Sequence, residues 1–150
     1  MVEQIKEEPF RLTNLDPVIS TADGVANTWS DIWTYQVPNG VALIIKPGHS
    51  FSAYIQDAGA EVGNATCQVK IEKRDSSKSD VLLLYGPELY LTSKEFQDST
   101  KKARLSVPAG GVIINEREFL IISGKDDATI TIANGYFELH IAKVRKALGA

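Results

Sequence analysis

Imidazole or thiol chemistry in this chain of 150 residues would have to draw on two histidines and one cysteine, and the sequence keeps all three apart. His49 stands in Pro47-Gly48-His49-Ser50-Phe51, at a corner, and His140 falls on the last expected strand, in phase with Tyr136 and Glu138. A nonheme metal centre needs two or three imidazoles and an acid converging on one ion, which isolated histidines do not assemble. Cys67 alternates with Val69 and Ile71, the pattern of a buried structural thiol. There is no Gly-X-Ser-X-Gly elbow to strain a serine nucleophile. No phosphate-cradling loop occurs either, and Gly110-Gly111 lacks the helix that a dinucleotide loop requires. Acids gather between Asp75 and Asp80 and at Asp126-Asp127. Held in a cleft, such groups bind calcium or cleave glycosides, but in polar turns they read as solvated loop residues. The residues supply no catalytic set, no cofactor site and no metal site.

Two other groups carry a functional reading. Trp29, Trp33 and Tyr35 fall in phase on one strand and, with Tyr54, form a candidate ring-stacking face for a carbohydrate or other ligand. Ser30, Thr34 and Gln36 lie opposite, so the aromatic side is also the side expected to face a core. The second group is at the chain ends. Met1 to Phe10 carries three acids against one lysine, whereas the end of the chain carries Lys143, Arg145 and Lys146. Neither stretch holds enough apolar residues for a core of its own. An extended arm of ten residues reaches about 33 Å, far enough to cross onto a neighbouring subunit. Glu3, Ile5, Glu7, Glu8 and Phe10 in the arm, and Lys143, Arg145 and Lys146 in the tail, are therefore the candidate partner-binding residues. Acid would meet base between subunits; the alternative is that both ends pack on their own domain.

The elements between are almost all strands. Alternating or continuous apolar runs, broken by Gly, Pro and Asn, give strands over 29–37, 41–46, 50–56, 66–73, 81–85, 103–107, 112–115, 118–123, 128–133 and 136–142, with 81–85 expected to be buried. Shorter strands are expected at 10–12, 17–21 and 89–91, with a single helical turn at 94–98. Asn134-Gly135 suits a type I′ hairpin. Val37-Pro38-Asn39-Gly40 and Val107-Pro108-Ala109-Gly110-Gly111 echo one another, each a proline-glycine corner feeding a β-branched run. Evenly spaced short strands with twin corners predict an all-β, two-sheet antiparallel β-sandwich, with a jelly roll preferred over an immunoglobulin-like fold. The expected organisation is an extended N-terminal arm at 1–16, a sandwich domain at 17–142 and a basic tail at 143–150.

Composition narrows the classes further. A net charge of −3 argues against nucleic acid as a partner. Val81 to Tyr85 and Phe119 to Ile122, the longest apolar runs, are too short to span a bilayer as helices. The acidic N-terminus has no apolar leader, and a lone cysteine fits a reducing compartment.

The run Val37-Pro38-Asn39-Gly40 through Ile45-Lys46-Pro47-Gly48-His49-Ser50-Phe51-Ser52-Ala53-Tyr54, with its echo at Val107 to Ile114, resembles the jelly-roll decoration (cement) proteins of tailed-phage capsids. It is also similar to small jelly rolls of other viral shells and fibres. The likeness spans residues 29 to 142 and rests on the pattern of corners and strands. It implies a structural virion protein, made in the host cytoplasm and carried on the capsid exterior. Such a protein forms homo-oligomers, often trimers, and clamps a major capsid protein or equivalent scaffold. It implies no catalytic residues, because that family has none. The alternative from the aromatic residues is a carbohydrate- or ligand-binding sandwich module.

Overall fold

The computed structural model describes residues 7–57, 67–90, 103–105, 107–126 and 130–145. These form β1 (Glu7–Thr13), β2 (Ser20–Thr21), β3 (Ser30–Gln36), β4 (Val41–Ile45), β5 (Ser50–Asp57) and β6 (Cys67–Arg74). The series continues with β7 (Val81–Tyr90), β8 (Ala103–Arg104), β9 (Val112–Ile114), β10 (Phe119–Lys125) and β11 (Ile130–Arg145). Pairing is antiparallel throughout and nested. β1 pairs with β11, β3 with β10, β4 with β9, β5 with β8, and β6 with β7. The chain is thus one long hairpin, and rolling it over a core makes a jelly roll.

Three cross-pairings close the roll, β10 with β6, β11 with β4 and β11 with β5. β11 has only two edges, and β1 takes one of them from Glu138 to Val144. β5 pairs with β11 from Ile130 to His140 and β4 from Ala142 to Arg145, each overlapping the stretch that β1 holds, so both lie along the other edge, end to end. The first sheet therefore runs β1, β11, the broken line β4–β5, and the broken line β9–β8. The second runs β2-β3-β10-β6-β7.

A rolled hairpin must bend both of its arms at the same places, and the corners obey this. Pro38 to Val41, which carries the chain from β3 to β4, lies against the turn from β9 to β10. There Val37 N–H donates to Glu118 O (2.9 Å), Arg117 N–H to Val37 O (2.8 Å) and Gly40 N–H to the Glu116 carboxylate (2.8 Å). The bend between β4 and β5 is closed by His49, whose Nδ1 accepts from Lys46 N–H at 2.9 Å. That bend meets the other arm where Leu105 N–H donates to His49 O at 3.2 Å. The two proline-glycine corners are consequently not equivalent. The first crosses between sheets, while the second, at 108–111, is a jog between β8 and β9 within one sheet.

The core holds Leu12, Ile32, Trp33, Tyr35, Leu43, Ile45, Phe51, Val69, Ile71, Ile122, Phe137, Leu139 and Ile141 from both sheets. Trp33 and Phe137 meet across it with ring centroids 5.0 Å apart, and Phe51 and Tyr85 at 5.8 Å. Alternation fails at one informative place. Ile122 pairs with Trp33 but Ser123 pairs with Asp31, so Ile32 is the extra residue of a β-bulge. Ile32 and Trp33 both turn inward as a result.

Several expected boundaries shift. Asn134-Gly135 makes no hairpin, because β11 continues past it: Thr131 opposes Gln56 and Tyr136 opposes Tyr54, leaving an irregular bulge between them. β7 likewise runs on to Tyr90 through Gly86, whose φ of 81° marks a kink. The arm expected over 1–16 is, from Glu7 to Thr13, an ordinary strand of the first sheet, because β11 offers it a full hydrogen-bonding edge. Lys143 and Arg145 close β11 rather than opening a tail. The helical turn expected at 94–98, most of the loop at 57–65, and Glu3, Ile5 and Lys146 lie outside the described residues.

Candidate assembly interface

Charge complementarity between the chain ends is satisfied within the chain. Register places Glu7 opposite Val144 and Glu8 opposite Lys143. Glu7 pairs with Lys46 Nζ at 2.7 Å, reaching from β1 to the end of β4 over the intervening β11. Glu8 lies 3.9 Å from Lys143 Nζ and 3.4 Å from Arg145 Nε. The Phe10 ring sits 4.8 Å under Lys143 Nζ and 6.2 Å from Tyr35, joining the seam to the core. Acid does meet base, then, but across β1 and β11 of one molecule.

Further along the seam Glu138 is a hub. It accepts from Arg11 Nε at 2.5 Å and from the Tyr136 hydroxyl at 3.1 Å, and it pairs with His140 Nε2 at 2.7 Å. The hydrogen bond from Arg11 is the main reason its carboxyl is lowered from 4.5 to about 2. His140 is thus spoken for by a neighbour two residues away on its own strand. Among the described residues no group of three His, Cys, Asp or Glu side chains converges as a metal site would require.

The outer face of the second sheet is less wet than alternation along β6 suggests. Glu72 is only 7% exposed and Ser123 1%, under the guanidinium of Arg74. Arg74 grips Asp31 with two parallel bonds, at 2.9 and 3.0 Å, and donates to Glu72 at 2.7 Å. Ser123 adds a bond of 3.0 Å to Asp31. Burial pushes the Asp31 carboxyl up, but the bonds from Arg74 and Ser123 outweigh it and hold the group below the usual range. This network ties β3, β10 and β6 together on their solvent side.

The candidate aromatic face is dismantled by the bulge at Ile32. Trp33 is 2% exposed and Tyr35 5%, so neither ring can stack on a sugar. Trp29, two residues before the bulge region, is half-buried on the other side with Lys70 Nζ 4.6 Å from its ring. Tyr54 is placed only by its backbone, opposite Tyr136. The three in-phase aromatics therefore belong to two faces, with Trp33 and Tyr35 in the core and Trp29 outside it. Between the first corner and the end of β11 lies an open cleft of about 380 Å³, lined by Tyr35, Pro38, Asn39, Gly40, Val41, Lys143 and Arg145. Glu8 already faces both of its cations.

Exposed apolar surface lies elsewhere. Leu15, Val18 and Val25 are exposed singly before β3, which is ordinary. Val81, Leu82 and Leu83 are different: consecutive, each nearly half exposed, and at the start of β7, the outermost strand of the second sheet. The sequence shows this run plainly as an apolar strand, but only the strand order reveals that it is an edge.

The described residues thus form a two-sheet jelly roll in which many of the charged side chains pair with one another across neighbouring strands. No family model matches the sequence, and no curated protein does. Among solved structures the fold is similar to VP17, a capsid protein of bacteriophage P23-77, with a TM-score of 0.63. The alignment covers 99% of this chain and 100% of that one, at 5% sequence identity. The likeness is one of fold, from the first strand to the last.

Proposed function

We propose that this chain is a non-enzymatic structural protein of a phage capsid. The observation that carries the reading is the fold likeness to a capsid protein over 99% of this chain and 100% of that one. The organisation of the described side chains supports it, since the acids and bases that might have done chemistry are spent on holding strands together.

Within a capsid two roles suit such a body: a subunit of the shell lattice, or a decoration (cement) protein that sits as a trimer on the exterior and clamps a major capsid protein. The decoration role drew on a free N-terminal arm. With Glu7 to Thr13 folded into the protein's own sheet, the lattice role has more support. The ligand-binding alternative loses its footing with Trp33 and Tyr35 in the core.

Composition of purified particles tests this. The chain should sediment with intact particles in many copies per particle, and its absence from them would overturn the reading. Stripping it then separates the roles. A shell that survives without it has lost a decoration, whereas one that falls apart has lost a lattice subunit.

A further inference from the structure

One side chain fastens the bend between β4 and β5. Over Lys46-Pro47-Gly48-His49 the chain turns back, with Gly48 at a φ of 94° and His49 N–H donating to the Lys46 carbonyl at 3.1 Å. The His49 ring folds over the turn, and its Nδ1 accepts from Lys46 N–H at 2.9 Å. A backbone N–H only donates, so Nδ1 carries no proton, and the ring is neutral with its proton on Nε2. The His49 carbonyl accepts from Leu105 N–H at 3.2 Å, so the same residue joins the two arms of the rolled hairpin. Leu105 and Phe51, on either side of that junction, are buried in the core.

We propose that His49 is an acid-sensitive latch on this bend. A proton taken from solvent at Nδ1 turns the acceptor into a donor, releases the Lys46 N–H and lets the turn open locally, together with the junction to Leu105. The surroundings favour the closed, neutral ring. Burial and the Lys46 charge hold the imidazole below its ordinary 6.5, while Glu7, on β1, pulls the other way. Glu7 is itself paired with Lys46 Nζ at 2.7 Å. From β11, His140 stands opposite Ser50, and its ring is bound to Glu138 at 2.7 Å. From β8, Arg104 stands opposite Ser50, one more cation by type. An imidazole with a lowered native pKa contributes stability that is whole above 6.5 and is lost as pH falls through the folded value. The latch is therefore shut at neutral pH and opens on the acid side of 6.5.

NMR of the full chain, titrated from about pH 8 to about pH 4.5, reads the latch residue by residue. The His49 ring should titrate below 6.5. Hydrogen exchange of the Lys46 amide, taken relative to the unfolded chain at the same pH, should lose about tenfold of its protection for each pH unit between 6.5 and that midpoint. Amides in the middle of β10 should keep theirs. His49→Phe, which has no acceptor, should show low Lys46 protection at every pH, and His140→Gln should leave the wild-type response in place. A His49 ring that titrates at or above 6.5 overturns the proposal, as does a Lys46 protection that is constant with pH or that survives in His49→Phe. Loss of the response in His140→Gln, or a parallel loss of protection in β10, overturns it as well. Should His49→Phe fail to fold, the wild-type titration decides alone, since the ring midpoint and the Lys46 response must coincide.

Discussion

Gly111 packs against the carbonyl oxygen of Ile45 so closely that a Cβ on the glycine would meet it at 2.8 Å. The contact is where the two arms of the rolled hairpin bend together, and Gly111 also takes a φ of 81°. Its neighbour Gly110 has open space around it and no such φ. Gly40, in the first corner, combines the two cases: φ is 79°, but nothing lies within 4 Å of a Cβ.

These three glycines should separate steric from conformational cost. Gly111→Ala suffers both and should lose about 2–4 kcal/mol of unfolding free energy. Gly40→Ala pays only for the left-handed backbone, about 1–2 kcal/mol. Gly110→Ala should fall within about 0.5 kcal/mol of wild type. Urea unfolding of the three variants measures the order, and equal losses at Gly110 and Gly111 would refute the account of this corner.

The two tryptophans should behave as separate populations in fluorescence quenching. Trp33 is sealed between the sheets against Phe137, while Trp29 is half-buried beside Lys70. Acrylamide should quench part of the emission and spare the rest, and Trp29→Phe should remove the quenchable part. Uniform quenching of both rings would put the bulge at Ile32 in doubt.

How far the sequence foretold the molecule follows from which interactions are local. Period-two runs gave β3 to β6 nearly residue by residue, because alternation is a property of a strand by itself. The bulge at Ile32 was invisible, since it exists only in register with Ser123, far along the chain. Asn134-Gly135 has strong turn chemistry but is overridden by β5, which holds β11 on both sides of it. The same logic hid the arm. Glu7 to Thr13 is too polar to announce a buried strand, and its partner lies at the other end of the sequence. Of the candidate residues chosen for charge, Glu7, Glu8, Lys143 and Arg145 pair within their own chain.

Acid should weaken the fold through carboxylates that the native state holds in ionised form. Glu138 titrates at about 2 in the folded protein against an ordinary 4.5, and the Asp31 carboxyl is also held low. A carboxyl with a depressed native pKa contributes stability above its unfolded value and loses it as pH falls through the folded one. For Glu138 that window runs from pH 4.5 down to about 2. Arg11 is well exposed, so salt should shrink the effect. The urea midpoint of wild type should therefore fall more steeply over that interval than the midpoint of Glu138→Gln. Parallel curves would mean that the Arg11 contact does not persist in solution.

Truncation distinguishes a strand from an arm. A chain beginning at residue 7 keeps the whole pairing of β1 with β11, whereas one beginning at residue 14 strips that edge of β11 and removes Leu12 from the core. Burying a leucine side chain is worth about 2–3 kcal/mol, and Phe10 goes with it, so the shorter protein loses a large share of a typical domain's 5–15 kcal/mol. The second truncation should melt far lower than the first or not fold. If the chain beginning at 14 kept its melting temperature, β1 would be dispensable and the arm reading would return. The order of the effects also bears on folding. β1 and β11 sit at opposite ends of the sequence, so their pairing closes the longest loop in the molecule and should come late. Leu12→Ala is then expected to speed unfolding with little change in the refolding rate, as stopped-flow fluorescence of Trp33 would record.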